Sequence, residues 1–126
     1  MNHSNLLNLD HTFPPILSQH GDDAHLRLVM EIAPELGWFR GHFPGNPVLP
    51  GIVQVHWAVI ASRSLFPVGG GPREIKQLKF KSVVTPPTII ELALCRLTEH
   101  EVQFDYSSLG QQHSQGRLIF EEYIPC

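Results

Sequence analysis

The clearest alternation of apolar and polar positions runs from Ala24 to Ile32. Apolar side chains occupy every second position of this segment, while His25, Arg27 and Glu31 fall between them. A period of two is typical of a β-strand that buries one face. The pattern therefore predicts a half-buried strand in the first third of the chain.

Strand patterns return in the second half of the chain. Ile90, Leu92 and Leu94 alternate with more polar neighbours, and Pro86-Pro87 separates them from the segment before. Alternating segments bounded by Pro and Gly are read as successive strands joined by turns. Gly110-Gln111-Gln112 is predicted to be one of these turns. The predicted strands are Glu74 to Val83, Thr88 to Leu97, Glu101 to Leu109 and His113 to Tyr123.

One segment, Ile52 to Leu65, has the length and pattern of a helix. Pro50 suits its start, because the first turn of a helix does not need the N–H that proline lacks. The segment is apolar on nearly every face, which predicts a helix buried all round. Phe66 to Pro72 contains Gly69-Gly70-Gly71, which we interpret as a linker that follows the helix.

The order of elements is therefore a strand, an irregular loop, one helix and an antiparallel series of strands. A single buried helix against an antiparallel sheet is an α+β architecture. We predict one domain over residues 1 to 126, with residues 1 to 20 as an irregular or weakly helical N-terminal arm. A chain of this length can bury enough surface to fold as one unit.

Composition and charge exclude several classes of protein. The chain has 42% hydrophobic residues and a formal net charge of −3, from 9 basic and 12 acidic side chains. A disordered tail would be less apolar and more charged. Nucleic acid as the main partner would require a concentrated basic surface. We therefore expect a globular protein that does not bind nucleic acid.

The cellular compartment is predicted from what the sequence lacks. Cys95 and Cys126 form no disulfide framework, which favours a reducing compartment. The first basic residue is Arg27, so we expect no secretory signal peptide. The apolar run from Trp57 to Ala61 is much shorter than the roughly 20 residues of a membrane-spanning helix. A cytoplasmic location without membrane insertion is the expectation.

The most distinctive motif precedes the helix. It runs Gly41-His42-Phe43-Pro44-Gly45-Asn46-Pro47-Val48-Leu49-Pro50-Gly51, and six of its eleven residues are Gly or Pro, so its loop is rigidly shaped. Followed by a buried helix, it resembles the signature of the 3-hydroxyacyl-(acyl carrier protein) dehydratases of the FabZ/FabA type. The resemblance implies a hot-dog fold, in which an antiparallel sheet wraps around one long helix. Gln54 and His56-Trp57 resemble the divergent ApeI-like branch, which serves aryl polyene biosynthesis.

The resemblance implies roles for the motif residues. His42 would be the general base, because an imidazole titrates near neutral pH, and Phe43 would give it an apolar wall. Pro50 and Gly51 would bind substrate, with the Gly51 N–H on the thioester carbonyl as an oxyanion-type donor. The alternatives are a loop histidine that binds a backbone carbonyl, and a turn glycine that enters the helix.

His56 departs from the family pattern, because the second catalytic residue at this position is normally Glu or Asp. A neutral His56 can still donate one N–H to the substrate hydroxyl. The alternatives are a weakened or lost activity, or a core histidine. Gln54 lies about 200° around the helix from His56, so we expect it to cap the helix or contact a partner. Val53 and Trp57 are predicted to lie in the core.

A basic cluster follows the helix. Arg73, Lys76, Lys79 and Lys81 are four of the nine basic residues. They form either a solvated edge that discourages strand pairing or a docking patch for an acidic carrier protein or a phosphopantetheine phosphate. The histidines show no metal-ligand spacing, so no metal is predicted.

The expected function is dehydration of a 3-hydroxyacyl thioester to the trans-2-enoyl thioester, in fatty-acid or polyene-type lipid biosynthesis. No dissociable cofactor is expected, since the phosphopantetheine of acyl carrier protein would carry the substrate. The resemblance further implies a homodimer, or a hetero-oligomer with another hot-dog protein. Two alternatives remain open: a non-catalytic hot-dog subunit that binds acyl chains or a partner, and an acyl thioesterase on the same fold.

Overall fold

A computed structural model describes residues 13–33, 48–66 and 68–121. These residues form one helix and one antiparallel sheet. In chain order the elements are β1 (Ile16–Gly21), β2 (His25–Ile32), α1 (Gly51–Leu65), β3 (Gly69–Phe80), β4 (Thr88–Thr98), β5 (Glu101–Ser108) and β6 (Gln111–Glu121).

The sheet has the strand order β1-β2-β4-β5-β6-β3, with every neighbouring pair antiparallel. Strands β2, β4 and β5 bury every second residue over much of their length, and α1 packs on the side of the sheet to which those residues point. The predicted α+β architecture, with an antiparallel sheet around one helix, is confirmed.

The core lies between α1 and the inner face of the sheet. Trp57 is fully buried in the middle of the helix, and the ring of Phe13 packs on it with the centroids 5.8 Å apart. Val53 is also buried, so the prediction that both helix residues belong to the core is confirmed. The largest buried side chains of the sheet are Leu28, Met30, Ile32, Ile90, Leu92, Leu94, Phe104, Tyr106, Leu118 and Phe120.

Four of the predicted strands agree with β2, β4, β5 and β6 to within about two residues at each end. The N-terminal prediction is wrong over part of its length. Ile16–Gly21 is a strand and pairs along β2 from Ile16↔Met30 to Gly21↔Leu26, instead of forming an irregular arm. Its hydrogen-bond partners lie in β2, and its own sequence shows no strict alternation of apolar and polar side chains. No pattern within the segment therefore predicts the strand. Residues 1–12 lie outside the described residues.

The helix agrees with the prediction in position but not in its burial. It begins at Gly51 and ends at Leu65. Ile52 is 74% exposed, and His56 and Arg63 are exposed as well. The prediction of a helix buried all round is therefore wrong for the single chain, because the sheet covers only one side of α1.

The interpretation of Gly69-Gly70-Gly71 as a linker is also wrong. All three glycines belong to β3, and Gly69 pairs with Glu121 of β6. Gly70 has a positive φ of 60°, a conformation that glycine adopts without strain. The register shifts twice between Gly69 and Glu74, so the strand begins irregularly. It ends at Phe80 instead of the predicted Val83.

A β-bulge interrupts β3 at Gln77. Lys76 pairs with Arg117 and Lys79 with Gln115, so three steps along β3 match two along β6. Gln77 takes up the extra residue with a φ of 54°, in the left-handed region. The bulge therefore keeps Lys76 and Lys79 on one face of the sheet, although they lie three positions apart and would point to opposite faces in a regular strand.

The same bulge keeps apolar side chains on the other face of β3. Ile75 pairs with buried Leu118, and Phe80 pairs with buried Ser114, so both point towards the helix side of the sheet. Leu78 lies between them on this face. All three of these β3 side chains remain partly exposed, at 38% to 53%. We call Ile75, Leu78 and Phe80 the open apolar face.

Among the described residues, no helix combines the length and hydropathy needed to cross a membrane.

Candidate functional site

The N-terminus of α1 presents backbone donors that its own helix does not use. Pro50 precedes the helix, and its carbonyl accepts the N–H groups of Val53 and Gln54 at 3.1 and 3.3 Å. Pro50 supplies no side-chain cap. The N–H groups of Gly51 and Ile52 come before the first intrahelical donor. They carry the positive end of the helix dipole, which favours a partial negative charge beside them.

A groove of about 560 Å³ opens at this helix end. The segment from Val48 to Ile52 forms one wall, and the segment from Phe80 to Val83 forms the other. The walls are joined by a 2.8 Å hydrogen bond from the Leu49 N–H to the carbonyl of Val84. Ile52 and Val83 are strongly exposed apolar side chains. The groove is therefore suited to an apolar chain with one polar group near the helix N-terminus.

Gly51 and Phe80 touch across the groove. A Cβ atom added at Gly51 would lie 2.5 Å from Cε1 of the Phe80 ring and 2.6 Å from Cζ. Only glycine allows the ring to approach the first turn so closely. The aromatic ring is 53% exposed, and it covers one side of the helix N-terminus. Phe80 was not among the side chains singled out from the sequence.

His56 lies on the same face of α1 as Ile52, one turn further from the N-terminus, since residues four apart are neighbours on a helix surface. Its side chain is exposed. The prediction allowed a core histidine as an alternative, and the exposure of His56 contradicts that alternative. The imidazole lies on the helix face that the chain's own sheet leaves open.

Gln54 is buried, and both ends of its side-chain amide are used within the chain. Its Nε2 donates to the carbonyl of Leu49 at 3.3 Å, and its Oε1 accepts from Ser114 Oγ at 2.6 Å. The amide thus ties the residue before Pro50 to the helix, and the helix to β6. Neither expected role fits this geometry. The amide accepts from no free N–H of the helix start, so it is not a cap, and only 3% of Gln54 is exposed to a partner.

The buried hydroxyl of Tyr106 completes this polar contact between helix and sheet. It donates to the backbone carbonyl of Gln54 at 2.7 Å. Burial raises the pKa of Tyr106 well above its usual value of 10.0. The hydroxyl therefore stays protonated in the folded protein and acts as a structural donor.

The four side chains of the basic cluster differ in their contacts. Arg73, Lys76, Lys79 and Lys81 are all exposed, and pairing places Lys76 and Lys79 on the outer face of the sheet. Lys81 is engaged within the chain, since its Nζ donates to Gln112 Oε1 at 2.6 Å.

Lys81 also acts on a nearby carboxylate. Burial raises the pKa of Asp105, and a hydrogen bond from Gln112 and the charge of Lys81 oppose that rise. These in-chain contacts of Lys81 make Lys76 and Lys79 the more available cations of the predicted docking patch.

Two of the predicted site residues, His42 and Phe43, lie outside the described residues. Of the other predicted residues, Pro50 and Gly51 line the groove. His56 lies on α1 one helical turn after Ile52, which also lines the groove. Phe80 lies 29 residues from Gly51 in sequence, and no local signal indicates their contact. The contacts of Gln54 with Ser114 and Tyr106 are similarly remote in sequence.

The fold and the groove together define a hot-dog protein with a candidate binding site at the N-terminus of its central helix. Residues 18–117 match the model of the ApeI-like family, described as ApeI dehydratase. This chain belongs to the ApeI-like dehydratase family. The predictions of a hot-dog fold and of a dehydratase-type enzyme are confirmed.

Individual relatives agree with this assignment. The chain is 30% identical over 130 aligned positions to the 3-hydroxyacyl-[acyl-carrier-protein] dehydratase FabZ of Legionella pneumophila (strain Philadelphia 1), covering 92% of this chain and 79% of the relative. Among solved structures, it is similar to a chain of the dehydratase heterocomplex ApeI:P from Xenorhabdus doucetiae. That match has a TM-score of 0.79 and 28% identity, and it covers 87% of this chain and 99% of the other.

A more distant likeness concerns the fold alone. The dehydratase domain of PpsC from Mycobacterium tuberculosis superposes with a TM-score of 0.66 at 20% identity, over 87% of this chain and 44% of that one.

Proposed function

We propose that the protein converts a 3-hydroxyacyl thioester, carried on acyl carrier protein, to the trans-2-enoyl thioester. The reaction forms a double bond between C2 and C3. The proton leaves from C2, and the hydroxyl of C3 leaves as water after it gains a proton. Phosphopantetheine belongs to the carrier protein, so the proposed enzyme needs no cofactor of its own. The names of the FabZ relatives support the substrate class.

The observation that carries the proposal is the groove at the start of α1. The N–H of Gly51 has no partner in its own helix, and it lies at the wall of a groove with apolar sides. Loss of the C2 proton places negative charge on the thioester oxygen. A backbone donor at a helix N-terminus is suited to that charge and costs no reorganisation during the reaction.

The remaining roles go to the two histidines and to the groove walls. His42 removes the C2 proton as general base and then gives this proton to the C3 hydroxyl, which leaves as water, with Phe43 as an apolar neighbour. His56 donates a hydrogen bond to the departing hydroxyl, the role for which the family uses a carboxylate. Pro50 forms the wall of the groove beside the carbonyl. The exposed position of His56 supports this assignment, because its imidazole can reach a ligand.

A second copy of the chain completes the proposed active enzyme. The open apolar face of β3 is uncovered in the single chain, and β3 is an edge strand of the sheet formed by the described residues. Ile52 and His56 leave an open side on α1 as well. An edge strand beside exposed apolar side chains favours pairing with another sheet. We therefore propose a homodimer that covers these surfaces.

The carrier protein would dock on the basic cluster, in the cytoplasm. Lys76 and Lys79 project from the outer face of β3, with Arg117 opposite Lys76 on β6. Arg73 precedes them on the same strand, and Lys81 adds charge near the end of the groove wall. An acidic carrier protein would approach faster because of this charge, and the effect would weaken with added salt.

A non-catalytic subunit is the second candidate function. His56 favours this candidate, because the family normally has a carboxylate at that position. The name of the Xenorhabdus doucetiae relative describes a heterocomplex of dehydratases, which supports a hot-dog partner in place of a second copy. In this case the groove would bind an acyl chain or support the partner's active site.

The test is to incubate purified protein with a 3-hydroxyacyl carrier protein and to follow the acyl group by mass spectrometry. Loss of one water molecule from the acyl group supports the enzyme, whereas release of the free acid indicates a thioesterase. His42→Ala should abolish the reaction, and full activity of that variant contradicts the assigned base. Inactive wild-type protein that gains activity with a second hot-dog protein supports the subunit.

A further inference from the structure

His113 joins segments that are remote from one another in sequence. The imidazole is 4% exposed, and it lies near the start of β6. Nδ1 is 2.9 Å from Ser82 Oγ, in the connection that follows β3. Nε2 is within hydrogen-bond distance of Ser108 Oγ, at the end of β5. One buried ring thus holds the connection between β3 and β4 against the β5–β6 hairpin.

The neighbouring acceptors determine which ring nitrogen carries the proton. The hydroxyl of Ser82 donates to the backbone carbonyl of Gln112 at 2.9 Å, which uses its single proton. Ser82 Oγ must therefore accept from Nδ1–H of His113. The backbone carbonyl of Ser82, which can only accept, also lies 3.3 Å from Nδ1. In the neutral ring Nε2 is then an acceptor, and Ser108 Oγ–H donates to it.

This contact acts on a wall of the groove. The backbone carbonyl of His113 accepts the N–H of Lys81 at 2.8 Å and that of Ser82 at 3.3 Å. Both donors belong to the segment from Phe80 to Val83 that faces Gly51 across the groove. The imidazole ring and the backbone carbonyl of His113 therefore both hydrogen-bond to the Phe80 to Val83 wall.

We propose that His113, as its Nδ1–H tautomer, is a positioning residue that holds the Phe80 to Val83 wall at the correct distance from the Gly51 donor. It does not touch the reacting atoms. Its effect on substrate binding rests on the proposed function, whereas its tautomer and its hold on the wall do not. The ring acts through Ser82 on the side nearer the groove and is fixed through Ser108 on the other side.

The first experiment uses the protein without substrate. A long-range ¹H–¹⁵N spectrum at mildly alkaline pH should show His113 protonated at Nδ1 and bare at Nε2. In His113→Leu, hydrogen exchange at the amides of Lys81 and Ser82 should be at least about tenfold faster, which corresponds to about 1.4 kcal/mol of local opening. A proton on Nε2, or unchanged exchange in the variant, overturns the proposal.

The second experiment separates positioning from general stability. His113→Leu should raise KM about tenfold and leave kcat within about twofold, since leucine cannot donate to Ser82 and the wall loses a hydrogen bond that holds it. His113→Asn keeps a donor in place of Nδ1–H and should restore most of the affinity. Ser107→Ala is the matched control, because Ser107 is half-buried like Ser108 and is not a partner of His113.

The outcomes of the kinetic experiment are distinct. Equal KM values for the Leu and Asn variants, or a loss confined to kcat, contradict a positioning role. Wild-type protein without dehydratase activity contradicts the proposed function and leaves the tautomer and exchange results as an independent test of how His113 holds the wall.

Discussion

The hydroxyl of Tyr106 donates a 2.7 Å hydrogen bond to the backbone carbonyl of Gln54. Tyr106 lies in β5, and Gln54 lies in the first turns of α1, so the bond joins the inner face of the sheet to the helix end that borders the groove. Both residues are buried. A polar contact in this position determines how α1 sits against the sheet, since apolar packing alone has no direction.

Tyr106→Phe should lower the free energy of unfolding by about 1 kcal/mol, the contribution of one hydrogen bond, because the ring still fills its site. The difference between wild type and variant should shrink above about pH 10. There the unfolded tyrosine ionises, whereas its raised pKa keeps the folded one neutral, so wild-type stability falls. Urea unfolding over a series of alkaline pH values measures both effects. A difference that grows with pH would contradict the buried, neutral hydroxyl.

Gln54→Met should lower the free energy of unfolding by about 2 kcal/mol, because it leaves the Leu49 carbonyl and the Ser114 hydroxyl buried without their partner. Ser114→Ala alone should cost about 1 kcal/mol. The two residues share one hydrogen bond, so the double variant should cost less than the sum of the single ones. Urea unfolding of all four proteins provides the cycle, and strict additivity would contradict the contact.

Local patterns predict the parts of the fold in which one chain segment carries the signal. The alternation in β2 predicts its buried face, and the apolar run after Pro50 predicts α1. Ile16–Gly21 was missed because its strand state depends on pairing with β2 instead of on its own alternation. The exposed side of α1 was missed for a similar reason, since the apolar character of Ile52 does not reveal whether this chain covers it.

The site is predictable in its backbone and less so in its side chains. Pro50 and Gly51 follow from the motif, because helix starts have a recognisable sequence. The contact of Phe80 with Gly51 and that of His113 with Ser82 join residues about 30 positions apart. Such contacts arise from how strands pair around the helix, and no periodicity within either segment encodes them.

Gly51→Ala should reduce kcat/KM by about tenfold or more. Its methyl group would meet the Phe80 ring at about 2.5 Å and push the ring across the groove. The free energy of unfolding should change by less than about 1 kcal/mol. Alanine favours a helix over glycine by a similar amount, and this gain offsets the cost of displacing the ring. Substrate kinetics and urea unfolding measure the two quantities.

A matched control is available on β3. Gly71→Ala adds a methyl group where nothing lies within 4 Å of it, and it should leave kcat/KM unchanged. Phe80→Ala in the Gly51→Ala protein should recover part of the loss. Failure of that second change to recover any activity would show that the ring is not the obstacle.

His56→Ala should lower kcat by about 100-fold, the lower range for loss of a group that assists proton transfer. The variant should still unfold in one cooperative transition, because the exposed side chain is not part of the core. His56→Gln keeps an N–H donor and should retain more activity than the alanine variant. Arg63→Ala, also exposed on α1, is the control, and unchanged turnover in His56→Ala would show that His56 does not assist the reaction.

Replacement of the bulge residue tests how β3 separates its two faces. Gln77 has a φ of 54°, which costs a non-glycine residue about 1 kcal/mol or more. Gln77→Gly should therefore raise the free energy of unfolding by about 0.5 kcal/mol after the added flexibility of the unfolded chain is included. Gln77→Val should lower the free energy of unfolding by roughly 1 kcal/mol or more, since a side chain branched at Cβ disfavours the left-handed conformation further.

Gln103→Gly provides the comparison with the opposite sign. Gln103 is exposed in the regular part of β5, where glycine should cost about 0.5–1 kcal/mol. Deletion of Gln77 removes the extra residue, so regular pairing would place Leu78 opposite Gly116 and keep Ile75, Leu78 and Phe80 on the helix side of the sheet. Dimer formation, followed by sedimentation, should therefore persist in the deletion variant as well as in Gln77→Gly. A deletion variant that no longer dimerises would show that the proposed partner needs the bulge itself and not only the open apolar face.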